Sequence, residues 1–142
     1  MSYQFLLHPP SGGICFGQVR EAKSRDVIIP AGEIRLARGQ HRGPNSGFGA
    51  KHIWAEHQAE MAEHGLTTEL HVPDYVALII ASGTALYYDP AKMTANRRIL
   101  AVRSTVGKAI LEFRDRRGEP IWSVVTAYSD VRAHGTRIGT VR

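Results

Sequence analysis

Between residues 85 and 128 the chain breaks into four short stretches of β-type residues, and this run constrains the fold more than any other feature. The stretches are Ala85–Tyr88, Arg98–Val102, Lys108–Phe113 and Ile121–Tyr128. They are rich in β-branched and aromatic residues, the composition of half-buried strands. Arg116-Arg117-Gly118-Glu119 reads as a hairpin connection between the last two. A meander of this kind has an apolar face that something must cover. Two helical patterns lie just ahead of it, so the expected class is α+β: N-terminal short strands, two helices, then a four-stranded antiparallel sheet.

The first helix is expected from about Ala50 to His64, with Gly65 placed to end it in a left-handed conformation. Ile53, His57, Met61 and His64 fall on one stripe with Trp54 beside it, and Glu56, Glu60 and Glu63 fall on the outer side. The second helix opens at Pro73-Asp74, residues suited to a first turn, and runs through Ala81 towards Gly83. It is apolar almost all round and is expected to be the more buried of the two.

Upstream, 3–7, 14–19, 27–29 and 33–38 read as short strands, and His41 to Gly49 as a Gly-, Pro-, Asn- and Ser-rich loop. The 142 residues suit one domain, with N-terminal strands over 1–32, a core over 33–129 and a loose basic tail over 130–142. A single cysteine, Cys15, excludes an internal disulfide framework and a cysteine-rich zinc site. The longest apolar run, around Val76 to Ala81, falls far short of the roughly 20 residues that span a bilayer, so no membrane partner is expected. The first residues lack the pattern of a Sec-type signal, so export would take another route.

Charge is unevenly spread. The net formal charge is +5, yet residues 49–96 carry −4 and residues 97–142 carry +6. A basic C-terminal third beside an acidic middle suits a polyanionic partner on one face. The competing reading of the charge alone is that Arg114, Arg116 and Arg117 decorate a hairpin tip and Arg142 a loose tail.

Histidine is the side chain that exchanges protons near neutral pH without tuning, and His41, His52, His57, His64 and His71 cluster around the first helix. His52 follows Gly47-Phe48-Gly49-Ala50-Lys51, where glycines free the backbone and a helix N-terminus favours an anion. Lys51 and His52 are therefore candidates for holding a phosphate; a weak surface pair between His52 and Glu56 is the competing reading. His57, within the apolar stripe, fits either a satisfied core residue or a neutral general base. His64 reads as structural, and His41 and His71 carry no specific signal. His52 and His57 are five residues apart, which does not stack them on one face, so no metal site is expected. In the last strand, alternation puts Thr126 and Tyr128 on one face with Trp122 and Val124. Hydroxyl, phenol and indole there suit a phosphate or a base. Arg103, Ser104 and Lys108 flank a strand connection, where cations could stabilise a phosphorane.

The string Gly47-Phe48-Gly49-Ala50-Lys51-His52-Ile53-Trp54-Ala55-Glu56-His57 resembles the Gly-Phe-Gly, His-Ile, His signature of phage and polymorphic-toxin nucleases in the barnase–EndoU–colicin–RelE superfamily. Val124–Tyr128 resembles the closing strand of those domains, and the likeness runs from about residue 33 to 129. It implies a metal-independent RNA endonuclease toxin with no cofactor, often a tRNA-cleaving one. It also implies a cytoplasmic site of action and a cognate immunity or antitoxin protein. On this resemblance His52 and His57 match the helix histidines and Thr126 and Tyr128 the last strand. Lys108 or Arg103 matches the strand cation. The implied chemistry is attack by the ribose 2′-hydroxyl, giving a 2′,3′-cyclic phosphate and a 5′-hydroxyl.

Two other classes fit part of the sequence. A nuclease-like RNA- or protein-binding module without catalysis would use the same basic strands. An ADP-ribosyltransferase is hinted at by Arg103-Ser104-Thr105, but the late acids Glu112, Glu119 and Asp130 do not form the acidic pair such enzymes use.

Overall fold

A computed structural model describes residues 4–24, 27–94, 97–132 and 135–142. Its frame is one seven-stranded, mostly antiparallel sheet. Six short strands come first: β1 (Gly17–Val19), β2 (Ala22–Ser24), β3 (Val27–Ile29), β4 (Gly32–Arg35), β5 (Gln40–Gly43) and β6 (Ser46–Phe48). Helices α1 (Gly49–Ala62) and α2 (Val72–Ile79) follow. Then come β7 (Ala85–Tyr88), β8 (Ile99–Arg103), β9 (Lys108–Arg116), β10 (Glu119–Tyr128) and β11 (Thr136–Thr140). The α+β class and the β7–β10 meander agree with the sequence reading. The four-stranded sheet does not: the order is β1-β4-β10-β9-β8-β7-β11.

Two features enlarge it. The N-terminal β1 and β4 join the meander, β4 running parallel to β10 over Ile121–Ser123. The tail is not loose, because β11 pairs with β7 and Val141 is buried against Gly17. Gln18 and Arg142 then exchange backbone hydrogen bonds of 2.9 Å in both directions, so the sheet curls until its two edges meet. Closing a sheet on itself removes exposed edges, a reason for the tail to be ordered. The pattern of 130–142 gave no sign of this because a five-residue strand rich in Gly, Thr and Arg lacks apolar alternation.

Other differences are local. The expected strand over 3–7 reduces to a bridge between Phe5 and Ala37, with Tyr3 outside the described residues. The expected loop over 41–49 contains the β5–β6 hairpin. At the hairpin tip of β9 and β10, Arg117 and Gly118 both take positive φ (53° and 82°), the dihedrals of a tight primed turn.

Alternation sorts the sheet into two faces. Leu86, Leu100, Val102, Ala109, Leu111, Trp122, Val124 and Ala127 point into a core shared with Ile53 and Met61 of α1 and Tyr75, Val76 and Ile79 of α2. Leu78 is half exposed, so α2 is not covered all round as its composition predicted. Beyond Ser123, β10 loses β4 as a partner and α1 packs against it. This brings the helix beside the end of the longest strand.

Candidate functional site

The step that makes the site is a β-bulge in β10. Val124 pairs with Leu111, but Thr126 pairs with Ile110, leaving Val125 as an extra residue. The bulge overturns the expected alternation. Trp122 and Val124 face the core, whereas Thr126 and Tyr128 emerge on the opposite face. Trp122 is wholly buried, edge-on to Phe113, and its Nε1 donates to the Pro30 carbonyl at 3.0 Å. It is a core residue and not a surface for a base.

Thr126 and Tyr128 face two adjoining hollows. One is lined by Asn45, Gly47, His52, Glu56, His57 and Val125 as well as both of them. The other, about 730 Å³, is lined by Tyr87, Lys92, Arg97, Ile99, Lys108 and Ile110 among others, again with Thr126 and Tyr128. Helix imidazoles and terminal-strand hydroxyls thus share one groove, with cations at its far end. The Thr126 Oγ1 is buried and bonded to no group among the described residues. A buried hydroxyl left without a partner costs free energy, so its placement on the groove wall is a chemical signal.

His57 Nδ1 lies 3.0 Å from Glu60 Oε1, and Glu60 Oε2 accepts the Ser129 amide at the end of β10. The carboxylate therefore holds the imidazole and ties α1 to the strand. The His57 ring lies 5.6 Å from that of Tyr128. Backbone dihedrals at His57 (φ −131°, ψ 22°) break the helix, and Glu60, seven residues after Ile53 and three after His57, falls on their inward stripe and not on the expected outer side. The i,i+3 spacing of His57 and Glu60 was the available signal for this pair, and sequence reasoning passed over it.

His52 is buried, at 5% exposure. Its Nδ1 lies 3.2 Å from the Nδ1 of His41, which reaches across from β5, and the rings stack at 5.4 Å. Burial pushes the His52 pKa down; Glu56 opposes this, and His41 and His57 add to it. Glu56 accepts the Asn45 amide at 2.6 Å, and this bond holds its carboxyl below the usual range. Gly47 permits the close approach: with φ +137°, any Cβ there would meet the Gln40 carbonyl and stand 3.0 Å from His52 Nδ1. His41 and Glu56, which the sequence left as a loop residue and an outward helix residue, therefore belong to the site.

The anion-binding reading of the helix start fails. The amides of Ala50 and Lys51 donate to the carbonyls of Ala37 and Arg38, each at 2.9 Å, so they are not free for a phosphate. Lys51 is half-buried and lines neither hollow. Ser104 is also engaged elsewhere, its Oγ accepting the amides of Val106 and Gly107 within the β8–β9 turn.

Of the two strand cations, Lys108 lines the groove and Arg103 does not. Lys108 is 2% exposed, its Nζ 5.7 Å from the Tyr128 ring centre and 4.0 Å from Asp130. Burial lowers its pKa, against the pull of Asp130. Asp130 is held well below the usual carboxylate range, chiefly by Arg132. Arg103 stands behind, its Nη2 donating to the Tyr87 hydroxyl at 3.1 Å and its Nη1 to Val131. Its role here is to fix Tyr87, a wall residue that sequence reasoning missed.

His64 lies exposed beside Tyr75, and His71 accepts the Thr67 amide at the entrance to α2, as structural histidines do. No helix among the described residues is long and apolar enough to cross a membrane. Compared with family models, curated proteins and solved structures, the chain finds no match in any of the three.

Proposed function

We propose that this chain is a metal-independent RNA endonuclease of the barnase–EndoU–colicin–RelE type. Such a nuclease would cut by 2′-hydroxyl transesterification. The observation that carries the reading is that His52, His57, Thr126 and Tyr128 line one hollow. Two imidazoles beside a phosphate supply the base and the acid that this reaction needs. One takes the 2′-hydroxyl proton as that oxygen attacks phosphorus. The other delivers a proton to the departing 5′-oxygen. Glu60 fixes which nitrogen of His57 points away from the carboxylate. Lys108 offsets the charge that builds on the phosphorane, and Thr126 and Tyr128 position the phosphate. Tyr87, Lys92 and Arg97 extend the groove along which a single strand would run.

The net +6 of residues 97–142 supports a nucleic-acid substrate. The Gly47–His57 signature supports a toxin role with tRNA as the target, action in the cytoplasm and an immunity protein as partner. The test is incubation of the purified full chain with total tRNA in EDTA. Cleavage leaving 2′,3′-cyclic phosphate ends, with DNA of the same length intact, is the expected result. RNA retained but never cut would make the domain a binding module instead.

A further inference from the structure

His41, His52 and Glu56 come from two elements that approach each other at the groove's edge. His41 stands on β5, and His52 and Glu56 stand one turn apart on α1. One ligand atom from each lies within 4.8 Å of the other two. Two imidazole nitrogens and a carboxylate oxygen are a donor set for a borderline first-row dication; magnesium and calcium take oxygen ligands instead. The spacing of the two imidazoles also fits, and the Glu56 carboxylate stands near enough to close on a bound ion. Zinc–nitrogen bonds of about 2.0–2.1 Å at a tetrahedral angle put two ligand nitrogens roughly 3.3 Å apart. The two Nδ1 atoms are 3.2 Å apart.

Facing nitrogens at this distance need something between them. Without a metal, one Nδ1 must carry a proton and the other must not. The support is built in as well: the Asn45 amide holds Glu56 from the side, and Gly47 lets the hairpin close on His52. Two of the three, His52 and Glu56, also line the hollow shared with His57, Thr126 and Tyr128.

We propose that His41, His52 and Glu56 form a three-ligand site for a zinc-class dication, and that filling it shuts off the groove's chemistry. The site stands on its own geometry; the effect on cleavage rests on the nuclease reading. Metal on Nδ1 of His52 takes that nitrogen's lone pair and leaves the ring's proton on Nε2. A ring in that state cannot accept another proton at Nε2, and it cannot become the imidazolium that donates one. Either role of His52 is lost, whichever it plays. The cation is then an off-switch and not a catalyst.

The test uses untagged full-length protein, stripped with EDTA and desalted, then titrated with zinc chloride against a chromophoric chelator. The expected result is one zinc per chain. His41→Ala and Glu56→Gln should each weaken binding by more than about 100-fold, beyond what loss of a mere supporting group produces. His64→Ala should leave it unchanged. His41 is exposed, so its truncation spares the fold, and circular dichroism checks this. No zinc retained by the wild type, or equal retention by His41→Ala, overturns the site. In the second arm, RNA cleavage is compared with and without saturating zinc for each protein. Each protein is read against its own zinc-free rate: zinc should inhibit the wild type, and whatever rate His41→Ala retains should not respond to zinc. Zinc bound without inhibition, or with faster cleavage, overturns the switch. A wild type that never cuts RNA removes the nuclease reading, and the zinc stoichiometry still decides the site.

Discussion

The two faces of the curled sheet obey opposite rules. On the core face the polar atoms of the strands are matched: Tyr88 bonds Ser24 at 2.7 Å, and Trp122 bonds Pro30. On the groove face Lys108 is buried with a carboxylate 4.0 Å away, Arg103 Nε has no partner among the described residues, and Thr126 Oγ1 has none either. A fold stabilised by packing alone would not keep buried hydroxyls and ammonium groups on one face, because each costs free energy that apolar side chains would not. The contrast separates a face built for packing from one that carries the proposed chemistry, and single substitutions should tell them apart.

The largest separation is expected at the imidazoles. His57→Ala should lower RNA cleavage by about 100- to 10,000-fold, the contribution of a positioned proton-transfer group, with a far smaller change in urea midpoint. His52→Ala should match it in cleavage. If either retains near wild-type rates against tRNA, the groove is not where the chemistry happens. The core face should behave in reverse. Trp122→Ala removes a wholly buried indole and should cost about 3–5 kcal/mol of unfolding free energy. Cleavage per folded molecule should fall little, and a specific loss larger than the loss of fold would return Trp122 to the substrate site.

How far the sequence foretold this can be argued from β10 and its neighbours. Period-two stretches sufficed for the meander and a period-3.6 stripe for α1, because burial imposes those periods, and α2 was read from Pro73-Asp74 and the apolar run after it. The bulge at Val125 was invisible, since one inserted residue leaves composition unchanged and inverts facing. That single event moved Trp122 into the core. Glu60 was misread although its spacing was legible: seven residues after Ile53 and three after His57, it falls on their stripe in a regular helix. His41 and Glu56 could not be paired from sequence, because a hairpin and a helix meet there only through tertiary packing. The histidine cluster itself was legible, and the structure does bring His52 and His57 beside Thr126 and Tyr128. The helix-terminus phosphate site was not, because the carbonyls that occupy those amides come from the segment just after β4.

A finer separation comes from Thr126→Val, which keeps the shape and removes the unpaired hydroxyl. If that hydroxyl serves a phosphate, cleavage should fall by about 10- to 100-fold, the worth of a hydrogen bond to a charged group, while stability rises by about 1 kcal/mol. Opposite signs in one variant would place the residue on the functional side of the ledger. Parallel losses in cleavage and in unfolding midpoint would make it an ordinary strand residue.

One residue crosses the boundary, and it provides the test with the smallest effect at neutral pH. Tyr75 on α2 is fully buried on the core side, yet its hydroxyl has no partner among the described residues. Burial, reinforced by Glu60 and Glu63, pushes its pKa up to about 12. In the unfolded chain the same phenol ionises near 10. Below pH 10 both states hold the proton, so the contribution of Tyr75 to stability is constant. From about pH 10 the unfolded chain releases it and the folded chain does not, and stability falls until the folded group ionises as well. Two pH units correspond to about 3 kcal/mol. Tyr75→Phe removes both the orphaned hydroxyl and this loss. It should be about 1 kcal/mol more stable than the wild type at pH 7, and its advantage should widen as pH rises from 10 to 12. The comparison of wild type and variant by denaturant unfolding across that range cancels the titration of the remaining tyrosines and lysines. A constant or shrinking gap would mean that the phenol ionises alike in the folded and unfolded chain, as a solvated hydroxyl does, and the core side would then hold no buried orphan at Tyr75.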